Sequence, residues 1–174
     1  MNGSSLFVLG GARSGKSRYA QARAEAAGDS PVFVATAEAF DDEMRERIAR
    51  HQADRTARWR TVEAPRDLPA AIDALNGRDA VVLVDCLTLW VSNLLLADAD
   101  IPRAGRELCE AITRFKGTLI LVANEVGLGI VPDNALARAF RDAAGQLNQS
   151  VAATVQEVAL ITAGLPLTLK PRGA

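Results

Sequence analysis

The sequence predicts a three-layer α/β fold built on a mostly parallel sheet. Strand-like and helix-like stretches alternate along the chain, the pattern that winds helices over both faces of such a sheet. Two strand-like runs, 80–84 and 118–123, are almost wholly apolar, as strands buried on both faces are. A glycine-rich stretch, GGARSGKS (10–17), separates a short apolar run from a helical one.

Each element follows in order. Residues 6–9 form the first strand and about 17–27 the first helix, with the glycine loop between them. Gly28, Asp29, Ser30 and Pro31 punctuate, and 31–36 reads as a second strand. Residues 41–55 read as a helix, with acids at its start and arginines towards its end, both favourable to the macrodipole. A short strand at 59–62 and a helix at 67–75, begun by Asp67 and ended by Asn76-Gly77, come next. The strand 80–84 leads to helices at 87–97 and 103–115, and the strand 118–123 to a long amphipathic helix at about 134–153. Residues 157–163 give a last central strand, and 165–170 returns beside it as a small antiparallel edge.

No internal repeat, low-complexity tract or linker interrupts this order, so residues 1–174 are expected to form a single domain. Hydrophobic residues make up 49% and charged residues 24%, the mix of a soluble globular protein. A formal net charge of −1 excludes a broad electrostatic footprint for nucleic acid, although 45–60 is locally basic. Apolar runs are strand-sized, so no membrane span is expected. The N-terminal MNGSSLFVLGG lacks a basic flank and does not read as a signal peptide. Cys86 and Cys109 lack metal-site or redox spacing and read as buried free thiols, which suits a cytoplasmic protein.

The loop Gly10, Gly11, Ala12, Arg13, Ser14, Gly15, Lys16, Ser17 fits G-x-x-x-x-G-K-[ST] at every fixed position. Its glycines let backbone N–H groups turn inward around phosphates, and the following helix N-terminus favours anions. Lys16 would reach the β- and γ-phosphates, and Ser17 would hold Mg2+. The loop specifies nucleotide binding and leaves the reaction open.

Asp85 closes the central run 80–84, at the carboxyl end of a strand where ligands bind in open α/β sheets. It reads either as a second magnesium ligand or as the cap of the helix beginning near Leu87. The sole histidine, His51, shares a helical face with Met44, Ile48 and Arg55. One reading makes it a core-edge histidine, and the other a nucleophile towards phosphorus with nearby arginines lowering its pKa. Residues 124–132, NEVGLGIVP, follow another central strand, so this loop lies on the ligand face.

With these pieces assembled, the chain resembles the bifunctional adenosylcobinamide kinase / adenosylcobinamide-phosphate guanylyltransferase family of cobalamin biosynthesis. The resemblance is carried by GGARSGKS (10–17), ATAEAFDDEM (35–44), RIARH (47–51), WRTVEAP (59–65), LVDCLTLWVSNLL (83–95), NEVGLGIVP (124–132) and FRDAAGQLNQ (140–149). It implies a RecA-like phosphate-loop NTPase fold and two reactions in one domain. ATP or GTP would phosphorylate the aminopropanol hydroxyl of adenosylcobinamide. GTP would then guanylylate a histidine with loss of pyrophosphate, and the GMP would pass to adenosylcobinamide phosphate, giving adenosylcobinamide-GDP.

The resemblance carries the guanylylated histidine to His51; some members have a second histidine where this chain has Arg50. It places GTP contacts at the phosphate loop, Thr36, Ala37, Glu38, Gln52, Ala53, Asp54, Arg55, Glu63 and Asp85. Several members have glutamate at the last position, which keeps the carboxylate for magnesium. It also implies a homotrimer, with corrinoid contacts sought at 124–132 and 138–148. A simple small-molecule kinase, a GTP-binding switch and a non-catalytic nucleotide-binding module are the competing readings. The chain has no N-K-x-D motif to read guanine, which weighs against the switch.

Overall fold

The computed structural model describes residues 3–38 and 58–173. The expected helix at 41–55, with His51, Gln52, Ala53, Asp54 and Arg55, lies outside the described residues. Among the described residues seven strands form one sheet: β1 (Ser4–Gly10), β2 (Val32–Ala35), β3 (Arg60–Glu63), β4 (Val81–Asp85), β5 (Thr118–Asn124), β6 (Glu157–Thr162) and β7 (Leu165–Lys170). Their order across the sheet is β3-β2-β4-β5-β1-β6-β7. All neighbours pair in parallel except β6 and β7, which form the antiparallel edge expected from sequence.

Side-chain alternation along each strand builds the layers. Leu6 and Val8 pack with Ala20 and Ala24 of α1 (Lys16–Ala27) on one face of the sheet. Phe7 and Leu9 point to the other face, into the larger part of the core. Four further helices contribute to that larger cluster: α2 (Leu68–Ala74), α3 (Leu87–Leu96), α4 (Ile101–Arg114) and α5 (Ala135–Thr154). Trp90, Leu108 and Val151 are fully buried there, and burying a large apolar side chain contributes about 1.5–3 kcal/mol.

The helix starts show where sequence signals were obeyed or passed over. Asn134 caps α5 by accepting a hydrogen bond from the Ala137 N–H at 2.8 Å. Asp67 occupies the cap position of α2 as expected, although its side chain makes no capping bond. Helix α4 begins two residues before the expected Arg103: Asp100 accepts from the Arg103 N–H at 2.9 Å, and Pro102 sits in the first turn. Proline costs nothing there because first-turn N–H groups have no intrahelical partner.

The register sets the geometry of the ligand edge. Gly10 lies opposite Asn124, while Ala35 lies between Asp85 on one side and Glu63 on the other. Strand β5 separates β1 from β4. The carboxyl ends of β1 to β5 therefore present the glycine loop, residues 36–38, Glu63, Asp85 and the start of the NEVGLGIVP loop along one edge of the sheet.

Candidate active site

The glycine loop is shaped by steric limits at two positions. A Cβ on Gly10 would stand 2.4 Å from the Ser14 hydroxyl and 2.7 Å from the Ile161 carbonyl oxygen, so no larger residue fits without movement. Gly15 has a φ of 95°, the left-handed region that glycine enters without steric cost. The loop then runs into α1, whose first-turn N–H groups face the site without helical acceptors. From outside, the β6–β7 turn braces the loop, with the Gly164 N–H donating to the Ser14 carbonyl at 2.8 Å.

Lys16 folds over this cradle and is 8% exposed, its Nζ donating to the Gly11 carbonyl at 3.1 Å. The Ser17 hydroxyl donates to Asp85 Oδ2 at 2.7 Å, bridging the start of α1 and the end of β4. Asp85 does not cap α3: the cap position belongs to Cys86, which makes no side-chain capping bond. The Asp85–Cys86 peptide is cis. A hydroxyl and a carboxylate in contact fit Mg2+, which binds through few protein oxygens and completes its octahedron with phosphate and water. Among the described residues no group of three or more His, Cys, Asp or Glu side chains could hold a metal ion.

Thr36 is fully buried, and its side chain faces the protein. Its hydroxyl donates to the Cys86 carbonyl at 2.7 Å and accepts from the Cys86 N–H at 2.9 Å, locking the end of β2 to the residue after Asp85. Ala37 is half-buried. Glu38 pairs with the Arg66 guanidinium at 3.0 Å, and Glu63 is exposed at the end of β3. The structure thus brings the phosphate loop, Thr36, Ala37, Glu38, Glu63 and Asp85 to one edge.

Sequence reasoning missed the polar side of α3. Thr88 accepts from the Asn124 N–H at 2.7 Å, and Trp90 Nε1 donates to the Arg66 carbonyl at 2.7 Å. Asn93 donates to the Thr36 carbonyl at 2.7 Å and the Pro65 carbonyl at 2.9 Å. One helix thereby ties together the chain segments that leave β2, β3 and β5. The signal was present, since Thr88 and Asn93 are buried polar residues in the mostly apolar LTLWVSNLLL, and buried polar groups need partners. Cys86 is buried as expected and Cys109 half-buried, both free. Burial, then the nearby Asp85 charge, push the Cys86 thiol up to about 12.

Fold and site together define a phosphate-loop nucleotide-binding domain, with its loop strand and its carboxylate strand separated by one strand. A family model described as "Cobinamide kinase / cobinamide phosphate guanyltransferase" matches residues 6–169. The chain belongs to that family. It is 47% identical to the bifunctional adenosylcobalamin biosynthesis protein CobP of Pseudomonas aeruginosa, over 94% of this chain and 96% of that protein. It is 42% identical to the bifunctional adenosylcobalamin biosynthesis protein CobU of Salmonella typhimurium, over 95% of this chain and 99% of that protein.

Solved structures share this α/β fold. The P4 protein of bacteriophage phi6 in complex with ADP is similar with a TM-score of 0.52 and 13% identity, covering 98% of this chain and 55% of that one. An ATPase of a type III secretion system is similar with a TM-score of 0.57 and 13% identity, covering 96% of this chain and 57% of that one. Among the described residues no helix is long and apolar enough to cross a membrane.

Proposed function

We propose that this chain phosphorylates the aminopropanol hydroxyl of adenosylcobinamide with ATP or GTP, and then transfers GMP from GTP to the resulting phosphate. The observation that carries this reading is the family match over 6–169, with a phosphate loop and an opposed carboxylate built within it. In this account the loop N–H groups and Lys16 hold the triphosphate, and positioning with charge stabilisation supplies most of the rate enhancement. Ser17 and Asp85 would hold Mg2+, which would neutralise charge on the phosphate oxygens.

His51 is assigned the nucleophile of the second reaction. Its imidazole takes the guanylyl group with loss of pyrophosphate and yields it to the corrinoid phosphate, splitting one difficult transfer into two. Gln52, Ala53, Asp54, Arg55, Thr36, Ala37, Glu38 and Glu63 are proposed to surround the GTP. Thr36 would contact the nucleotide through its backbone, as its hydroxyl bonds to the Cys86 carbonyl and N–H. Leu128, Ile130 and Val131, at 89%, 97% and 63% exposure, would offer an apolar surface to the corrinoid. A cytoplasmic homotrimer remains part of the same proposal.

Mixing the protein with GTP, Mg2+ and adenosylcobinamide tests this directly. Adenosylcobinamide phosphate should form first, then adenosylcobinamide-GDP with one pyrophosphate released per guanylyl group transferred. Phosphorylation without pyrophosphate release would leave a simple kinase, and slow GTP hydrolysis without a corrinoid product would leave a nucleotide switch.

A further inference from the structure

We infer that Glu125 is the general base of the phosphoryl-transfer step, the group that takes the proton from the corrinoid hydroxyl as it attacks the γ-phosphorus. The inference rests on the kinase half of the reading above. An alcohol carrying its proton is a weak nucleophile, and phosphoryl-transfer sites place an acceptor beside it.

Within three residues of the carboxyl ends of β1 to β5, the described residues supply Glu38, Glu63, Asp85 and Glu125 as carboxylates. Glu38 is held by Arg66. Asp85 is engaged by Ser17 and is the carboxylate suited to magnesium. Glu63 lies on β3, four places across the sheet from β1. Glu125 follows β5, the strand beside β1, and its own N–H donates to the carbonyl of Gly10 at 3.0 Å. Its backbone is thus bonded to the first residue of the phosphate loop, and β5 places it between that loop and the Asp85 strand.

The carboxylate is also oriented. Its Oε1 accepts from the Gly127 N–H at 2.7 Å, which leaves Oε2 to take a proton. A Cβ at Gly127 would stand 3.0 Å from Oε1, so the tight turn suits glycine. Glu125 is half-buried rather than enclosed, which leaves room for a bulky alcohol to approach. In the step, the hydroxyl O–H bond breaks and its proton passes to Glu125 Oε2. The oxygen forms its bond to the γ-phosphorus, the bond to the β-phosphate oxygen breaks, and the nucleoside diphosphate leaves with that electron pair.

Glu125→Gln tests this, because the amide oxygen still accepts from Gly127 but cannot serve as a carboxylate base. The kcat for adenosylcobinamide phosphorylation should fall about 10²- to 10³-fold. The KM for the nucleotide should stay within about twofold, and labelling of the enzyme by α-labelled GTP without corrinoid should persist. Glu125→Asp, which keeps a carboxylate on a shorter stem, should lose less than the Gln variant and serves if that variant fails to fold. A kcat within about threefold of wild type in Glu125→Gln overturns the inference. So does an equal loss of phosphorylation and enzyme labelling, which would make Glu125 a brace for its loop. Wild-type phosphorylation in the same assay tests the underlying reading separately.

Discussion

Removing the Asn93 amide should weaken the whole ligand edge. Asn93 is 3% exposed, and its Nδ2 donates to two carbonyls, Thr36 and Pro65. Losing two such bonds costs about 1–3 kcal/mol in net terms, since each contributes about 0.5–1.5 kcal/mol. The small void left by Asn93→Ala raises the expected destabilisation to about 2–4 kcal/mol. Asn93→Asp should cost at least as much, because a carboxylate would face two carbonyl oxygens with no proton to donate. Urea unfolding followed by circular dichroism measures the effect as a lower midpoint at unchanged slope. Nucleotide affinity should fall with it, as residues 36–38 lose their tether to α3. A destabilisation below about 1 kcal/mol in both variants would refute the tether.

Other expectations follow from the same geometry. Gly10→Ala pushes a Cβ to 2.4 Å from the Ser14 hydroxyl and 2.7 Å from the Ile161 carbonyl; it should cost about 1–3 kcal/mol and abolish detectable nucleotide binding in calorimetry. The bidentate hydrogen bonds from Arg23 hold the Glu157 carboxyl below its usual range, against partial burial that acts the other way. A depressed carboxylate pKa gives stability that is complete above the unfolded value, about 4.3, and lost as pH falls through the folded one. The melting-temperature gap between wild type and Glu157→Gln should therefore be full above about pH 5 and close in stronger acid; a gap independent of pH would contradict the pairing. The Cys86 thiol, pushed up to about 12, should resist alkylation at pH 8 until the chain is unfolded, while Cys109 reacts first.

The parallel sheet was legible because apolar continuity and the glycine loop are local signals. Residues 80–84 and 118–123 are apolar enough to require two covered faces, and both strands lie in the middle of the sheet. The phosphate loop and Asp85 were legible for the same reason: spacing and strand ends are written along the chain. Strand order was harder, because nothing in the sequence of β5 says that it inserts between β1 and β4. That insertion is what places Glu125 beside Gly10, a contact between residues 115 positions apart in the sequence. Helix α2 follows Asp67 as expected, whereas α4 starts two residues before the expected Arg103 because the Asp100 cap and the first-turn Pro102 set its beginning. The partner of Thr36 was likewise not legible: its hydroxyl bonds to Cys86, a residue 50 positions away that only the β2–β4 pairing brings near.

The central claim is that one phosphate loop serves two chemically distinct transfers, divided by His51. It is tested most directly by incubating wild type, His51→Ala and Lys16→Ala with α-labelled GTP, then assaying each for adenosylcobinamide phosphorylation. The account predicts covalent GMP on His51 in the wild type. His51→Ala should carry no label and still phosphorylate, and Lys16→Ala should lose both activities. Label persisting in His51→Ala, or Lys16→Ala losing only one of the two reactions, would contradict it.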